Sequence, residues 1–251
     1  MDLYILGSGV GVPDARRGYP GLVIDCEDIT LLADMGPGNM RQLARAGFTY
    51  DDIDVIVITH FHPDHSLDLA SFLFACKYPA HPRRRRLTVI GPSGLKRYYE
   101  SLIGIFGDSI RPLDFEVDII EKESGRIRLD GIEVTVSPVR HSDSAIGIRV
   151  KDERRGTKLA YSGDTDYCRQ IVELARECDL AVLECSFPDE YKVDGHLTPS
   201  YAGRIAREAE VKKLVLTHIY PVLEERDILK GVSAVYGGRI TVAKDLMKLH
   251  V

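Results

Sequence analysis

Between Val55 and Asp68 the chain reads VIVITHFHPDHSLD, an apolar run that gives way to three of the protein's eight histidines and an aspartate within six positions. His60, His62, Asp64 and His65 form the pattern H-x-H-x-D-H. Neighbouring imidazolium rings repel one another, whereas a divalent cation holds such rings neutral and is bound by them. His60 and His62 are spaced to share one cation, and Asp64 and His65 to hold a second nearby. A lone histidine at a strand end is ordinarily a hydrogen-bonded structural residue, but four coordinating groups together point to metal.

A two-metal site needs further donors, and the sequence supplies them in one recurring context: an apolar strand, then a coordinating side chain at its exit. His141 follows VTV in IEVTVSPVRH, Asp164 follows KLAYSG, and His218 closes LVLTH. Among the elements that must position these groups, GLVIDC and ITLLADMG read as a hairpin. GNMRQLARAGF has helical spacing with Gly47 as its stop, and DVIVIT is a continuous β-branched run, the pattern of a strand covered on both faces. Pro63 stiffens the chain beyond Thr59, so the cluster is expected on a tight loop. LDLASFLFACKY reads as a helix, RLTVIG as a strand, and SGLKRYYESLIGIF as a helix opened by Ser93. FEVDII, GRIRL, IEVTVSPV, SAIGIRV and KLAYSG read as antiparallel strands. Helix CRQIVELARE, strand LAVLE, helix PSYAGRIAREAE, strand KLVLTH, a helix over 227–235 and strand RITVA close the chain. DVIVITHF and KLVLTHIY echo each other, a hint of duplication.

Composition excludes several classes. With 44% hydrophobic and 28% charged residues the chain is neither disordered nor membrane-spanning, and 251 residues bury a core unaided. No secretory signal opens it, and the five scattered cysteines lack any C-x-x-C, so the expectation is a cytoplasmic protein with buried thiols and no zinc ribbon. A net charge of −5 argues against a surface built wholly for polyanions, and the one basic run, Arg83 to Arg86, reads as a solvated loop or a local phosphate contact. No linker separates the halves, so residues 1–251 are expected to form one domain.

The order H-x-H-x-D-H, His141, Asp164, His218 resembles the metallo-β-lactamase superfamily, and more narrowly its ribonuclease Z-like phosphodiesterase branch. LGSGVGVPDARRG is similar to that branch's opening loop, THFHPDH to its metal signature, SGDT to the segment with its bridging aspartate, and LTHIYP to its final histidine segment. The resemblance implies an α/β (α+β) fold, the four-layer αββα sandwich. It further implies that His60, His62 and His141 bind one zinc, that Asp64, His65 and His218 bind the other, and that Asp164 bridges, with manganese as the alternative metal. VLECSFPDEYKVDGHLTPSYAGRIA resembles the branch's Glu-led strand end followed by His-x-Thr. Taken alone, His196 reads as a helix-opening residue beside the cap Thr198. The resemblance instead implies that His196 protonates a leaving alkoxide or holds a phosphoryl oxygen, oriented by Glu184 or Asp64. Ser8 and Arg16 lie on the opening loop, where they either face the cleft or remain at the surface.

The resemblance therefore implies a metal-dependent phosphodiesterase, with a metal-bound hydroxide attacking a small, cyclic or short nucleotide phosphodiester. Full ribonuclease Z enzymes carry a long arm for transfer RNA between the third-motif histidine and the bridging aspartate. Here that interval is the hairpin AIGIRVKDERRGTKLAYSG, which makes transfer RNA a doubtful substrate. The rivals are a thioester or lactone hydrolase of the glyoxalase II or lactonase type, and a metal-containing carrier without turnover. Dimers are frequent among such relatives, and a homodimer is compatible with this sequence.

Overall fold

The computed structural model describes residues 1–251. The first half contributes strands β1 (Asp2–Gly7), β2 (Gly21–Asp25), β3 (Thr30–Ala33), β4 (Val55–Val57), β5 (Leu87–Gly91) and β6 (Val117–Glu121). The second half contributes β7 (Gly125–Leu129), β8 (Ile132–Pro138), β9 (Ile146–Asp152), β10 (Lys158–Tyr161), β11 (Leu180–Glu184), β12 (Lys213–Thr217) and β13 (Arg239–Val242), and β14 (Lys248–His250) follows. They build two seven-stranded sheets, ordered β14-β1-β2-β3-β4-β5-β6 and β13-β12-β11-β10-β9-β8-β7. Each sheet passes from antiparallel to parallel pairing. The change falls at β3 in the first sheet and at β10 in the second.

The sheets face each other across an apolar layer in which Leu3, Ile5, Leu31, Val55 and Val57 meet Val134, Ile148, Val150, Val182 and Val215. Helices α1 (Asn39–Arg45), α3 (Asp68–Ala75) and α4 (Leu95–Phe106) cover the outer face of the first sheet with Leu43, Leu69, Phe72 and Leu102. Helices α5 (Arg169–Ala175), α6 (Pro199–Glu208) and α7 (Glu225–Ser233) cover the second with Ile171, Ala202, Ile205 and Ile228. The result is the expected αββα order. It explains the continuous apolar runs of β4, β11 and β12, since strands between core and helices are wet on neither face. By contrast, β8 alternates buried Ile132, Val134 and Val136 with partly exposed neighbours.

Several local expectations change. FEVDII does not join the antiparallel set: β6 pairs parallel with β5 at the edge of the first sheet. Ser93 does not open α4; Gly94 does, at a left-handed φ of 99°, and Glu121 Oε1 accepts from the Gly94 and Lys96 amides. Thr198 occupies the N-cap position of α6, but its hydroxyl donates to Asp189, which also accepts from the Ser200 amide. The strand β14 has no clear sequence signal, being a short, partly exposed edge strand that pairs with β1. The basic run is not a free phosphate surface. Arg83 is fully buried and donates to the carbonyls of Tyr50, Ile53, Arg85 and Arg86, while Arg84, Arg85 and Arg86 pair with Asp114, Asp54 and Asp118. All five cysteines are free thiols, four of them buried. No helix is long and apolar enough to cross a membrane.

Candidate metal centre

After β4 the H-x-H half of the motif lies on a short irregular stretch, residues 58–62, as expected of a tight loop, and the D-H half lies on a one-turn helix, α2 (Pro63–Ser66). His62 is its N-cap, and Pro63 takes the first helical position, where a missing N–H costs nothing. His60 and His62 thus precede the helix while Asp64 and His65 sit on it. His141 follows β8, Asp164 follows β10 and His218 follows β12. Between β10 and Asp164 stands Gly163, with φ 56°. A Cβ there would lie 2.8 Å from the Thr59 side chain, so this close crossing of the two sheets' strand ends requires glycine.

These seven residues converge. The donor atoms of His60, His62, His141 and Asp164 lie within 4.8 Å of one another, as do those of Asp64, His65 and His218. Asp164 faces both sets. Its Oδ2 is 3.8 Å from His60 Nε2 and 3.7 Å from His141 Nε2, and its Oδ1 is 3.3 Å from both His65 Nε2 and His218 Nε2.

The donors fit divalent cations. Asp164 Oδ1 is buried and accepts no hydrogen bond, an arrangement that is costly unless a cation compensates it. Inward-facing ring nitrogens approach one another at 3.0 Å (His60 Nε2 and His62 Nδ1), 3.1 Å (His141 Nε2 and His62 Nδ1) and 3.3 Å (His65 Nε2 and His218 Nε2). Tetrahedral sites with metal–nitrogen bonds of about 2.0 Å place their nitrogens roughly 3.3 Å apart. Burial and the neighbouring His65 hold the His60 ring well below its ordinary pKa, leaving a lone pair to lend. Burial alone would raise the Asp164 carboxyl, but His218 and His65 outweigh it and hold it well below the usual carboxylate range.

Two buried carboxylates orient four of the rings. Asp34 Oδ2 accepts from His65 Nδ1 at 2.8 Å, from Tyr161 OH at 2.7 Å and from Thr59 Oγ1 at 2.9 Å. The Thr59 oxygen, its proton committed to Asp34, accepts from His60 Nδ1 at 3.1 Å. On the second sheet Glu184 Oε1 accepts from His196 Nδ1 at 3.0 Å, and its Oε2 from Ser186 Oγ at 2.6 Å. Ser186 in turn accepts from His218 Nδ1 at 2.9 Å. Each carboxylate therefore orients one histidine directly and another through a hydroxyl, and His141 Nδ1 is held by Gly195 O at 2.9 Å.

Sequence reasoning missed Asp34, Thr59 and Ser186. Asp34 had a legible signal, a carboxylate ending the apolar run ITLLAD, yet no motif marks its partner. Of the two residues named for orienting His196, Glu184 touches it; Asp64 instead lies 3.7 Å from His218 Nε2. The burial of His196 lowers its pKa, but the hydrogen bond and charge of Glu184 outweigh this and raise it. Ser8 is buried and bound to Asp245, and Arg16 is exposed and paired with Asp14.

The sequence model of the β-lactamase superfamily domain matches residues 30–219. The chain belongs to the metallo-β-lactamase superfamily. Among curated superfamily members, ribonuclease Z of Streptomyces coelicolor is 30% identical over all of this chain and 97% of its own length. This places the chain in the ribonuclease Z-like branch, and the protein is a metal-dependent hydrolase. Among solved structures, the metallo-β-lactamase fold protein YhfI from Bacillus subtilis superposes with a TM-score of 0.86 at 21% identity, covering 99% of this chain and 98% of that one. The short form of human tRNase Z superposes with a TM-score of 0.79 at 24% identity, covering 100% and 99%. Both share the fold of the superfamily.

Proposed function

We propose that the protein is a dinuclear zinc phosphodiesterase acting on a small or cyclic phosphodiester, the whole of residues 1–251 serving as one catalytic domain. His60, His62 and His141 would hold one ion, Asp64, His65 and His218 the other, and Asp164, which faces both sets, would serve both. When bound, such a pair of ions supplies Lewis acidity and lowers the pKa of water at the site to about 7. The chain's own residues supply the rest. Asp34 and Glu184 orient the rings of His65, His60 and His218 so that each turns its other nitrogen inward, and Glu184 favours the protonated form of His196. His196 carries its Nδ1 proton toward Glu184 and presents Nε2 to the leaving oxygen, to which it donates a proton.

The observation that carries this reading is the His196–Glu184 pair, 3.0 Å apart, with the His196 ring centroid 4.8 Å from that of His141 and 5.7 Å from that of His218. An alkoxide leaving from phosphorus needs an acid beside the metal donors, and here one stands with a buried carboxylate behind it. A small substrate is supported by the interval between His141 and Asp164, which holds only the β9–β10 hairpin. The alignment with the Streptomyces enzyme runs to 295 positions against 251 residues here, so about 44 positions have no counterpart in this chain.

The test is to count metals in the purified protein and assay bis(p-nitrophenyl) phosphate, a glutathione thioester and a chromogenic β-lactam. Phosphodiester turnover that is lost together with bound metal in Asp164→Ala supports the reading. Turnover of only the thioester would replace it with the glyoxalase II type.

A further inference from the structure

Beside the metal donors stands a pair of aromatic rings that the proposed chemistry does not use. Phe187 and Tyr220 stack with ring centroids 4.3 Å apart and planes 26° from parallel. Both leave strand ends that carry site residues, Phe187 shortly after Glu184 and Tyr220 two residues after His218. Phe187 lies 5.8 Å from the His196 ring, and Tyr220 lies 6.3 Å from His196 and 6.1 Å from His218, centroid to centroid. Both rings are only partly buried, which is a poor use of apolar area at the edge of a polar site unless a substrate covers it. Phe187 stacks on one face of Tyr220.

Tyr220 also lines a cavity of about 370 Å³, whose other walls come from the opening loop, the segment from Ile219 to the start of α7, and Lys244 and Asp245 beyond β13. That volume suits a small ligand fragment. Its charges decide which fragment. Two of the cations there are ion-paired, Arg16 with Asp14 and Lys244 with Glu225, while Arg17 donates to the neutral Ser8 Oγ and the Ala243 carbonyl. The carboxylates Glu224 and Asp245 also line the cavity. The lining thus carries four carboxylates against three cations, which disfavours a second phosphate, and sugar hydroxyls or base amino groups would find Glu224 as an acceptor, Asp245 being already filled by Ser8, Gly18 and Gln42.

We infer that Tyr220, backed by Phe187, is a stacking platform for a nucleobase, and that the adjoining cavity receives the nucleoside of a substrate carrying a single reacting phosphodiester. This rests on the phosphodiesterase reading, but binding tests it independently of turnover. Adenosine 5′-monophosphate, ribose 5-phosphate and adenosine 5′-diphosphate are titrated calorimetrically into the zinc-loaded protein, with hydrolysis of bis(p-nitrophenyl) phosphate measured alongside. The monophosphate is expected to bind roughly 10- to 100-fold tighter than ribose 5-phosphate, the range typical of one stacked base. Tyr220→Ala should abolish that preference, Tyr220→Phe should keep it, and the diphosphate should bind no tighter than the monophosphate. Should Tyr220→Ala fail to fold, Tyr220→Leu keeps an apolar side chain there without the ring and reads the same quantity. A base preference that is absent, that survives Tyr220→Ala, or that is lost equally in Tyr220→Phe overturns the platform. A diphosphate that binds tighter overturns the assignment of the cavity. Base preference without phosphodiester hydrolysis keeps the platform and overturns the catalytic reading.

Discussion

Asp34 and Glu184 do at single positions what the seven donors cannot do for themselves. An imidazole has two nitrogens, and only the one without a proton can lend a pair to a metal. Asp34 accepts from the outer nitrogen of His65 directly and orients that of His60 through Thr59; Glu184 orients the outer nitrogen of His218 through Ser186 and accepts from His196 directly, which favours the protonated ring that an acid needs. Asp34→Asn places an amide N–H₂ among donors that otherwise share a carboxylate. Metal titration is expected to show affinity lower by about 10- to 100-fold. Denaturant unfolding of the metal-free protein should show a loss of about 1 to 3 kcal/mol, since buried donors lose their acceptor. His196→Ala makes the complementary case. Metal content should remain while kcat falls by about 10²- to 10⁴-fold on alkyl phosphodiesters. With p-nitrophenolate, which leaves without needing a proton, the fall should be far smaller, and equal losses on both substrates would return His196 to a structural role.

At the scale of elements, the site is a set of strand ends held in register by short connections. The segment between β11 and α6 must bring both His196 and the Gly195 carbonyl to the cluster, and Asp166 holds it there. Asp166 Oδ2 accepts from Lys192 Nζ at 2.7 Å and from the Gly195 amide at 3.2 Å, while its own amide donates to the Arg140 carbonyl beside His141. Removing this carboxylate frees the segment without touching any of the seven donors. Asp166→Ala is therefore expected to keep its metal and lower kcat by about 10-fold, because a small misplacement of an acid is costly to turnover. Measured metal stoichiometry and kcat separate this from loss of the site, and unchanged kcat would show that the segment holds itself.

At the scale of the molecule, the donors come from both sheets: His60, His62, Asp64 and His65 follow β4 of the first, whereas His141, Asp164 and His218 follow strands of the second. Cations held by these residues would cross-link the two halves at one edge of the shared core. A ligand at 100 to 1,000 times its dissociation constant stabilises the folded state by about 3 to 4 kcal/mol. For a chain of this size that corresponds to roughly 10 °C in Tm. Chelation should lower Tm by that order and zinc should restore it. In Asp164→Ala the response to zinc should largely vanish, and a Tm indifferent to chelator in the parent protein would show that the halves need no such tie.

The donors and the layers are legible without coordinates. H-x-H-x-D-H is local, and each later donor follows a strand written in its own composition, alternating before His141 and continuously apolar before Asp164 and His218, so strand exit and chemistry can be read together at all three. Relations between distant residues of ordinary type needed the packed chain. The pairing of β6 with β5, the burial of Arg83 among carbonyls, the Asp34 relay and the Phe187–Tyr220 stack each depend on where another segment packs. A threonine, serine or tyrosine carries no periodic or spacing signal. Its role exists only once two sheets close face to face and bring a partner 31 to 127 residues away within about 3 Å, as Asp34 meets His65 and Tyr161.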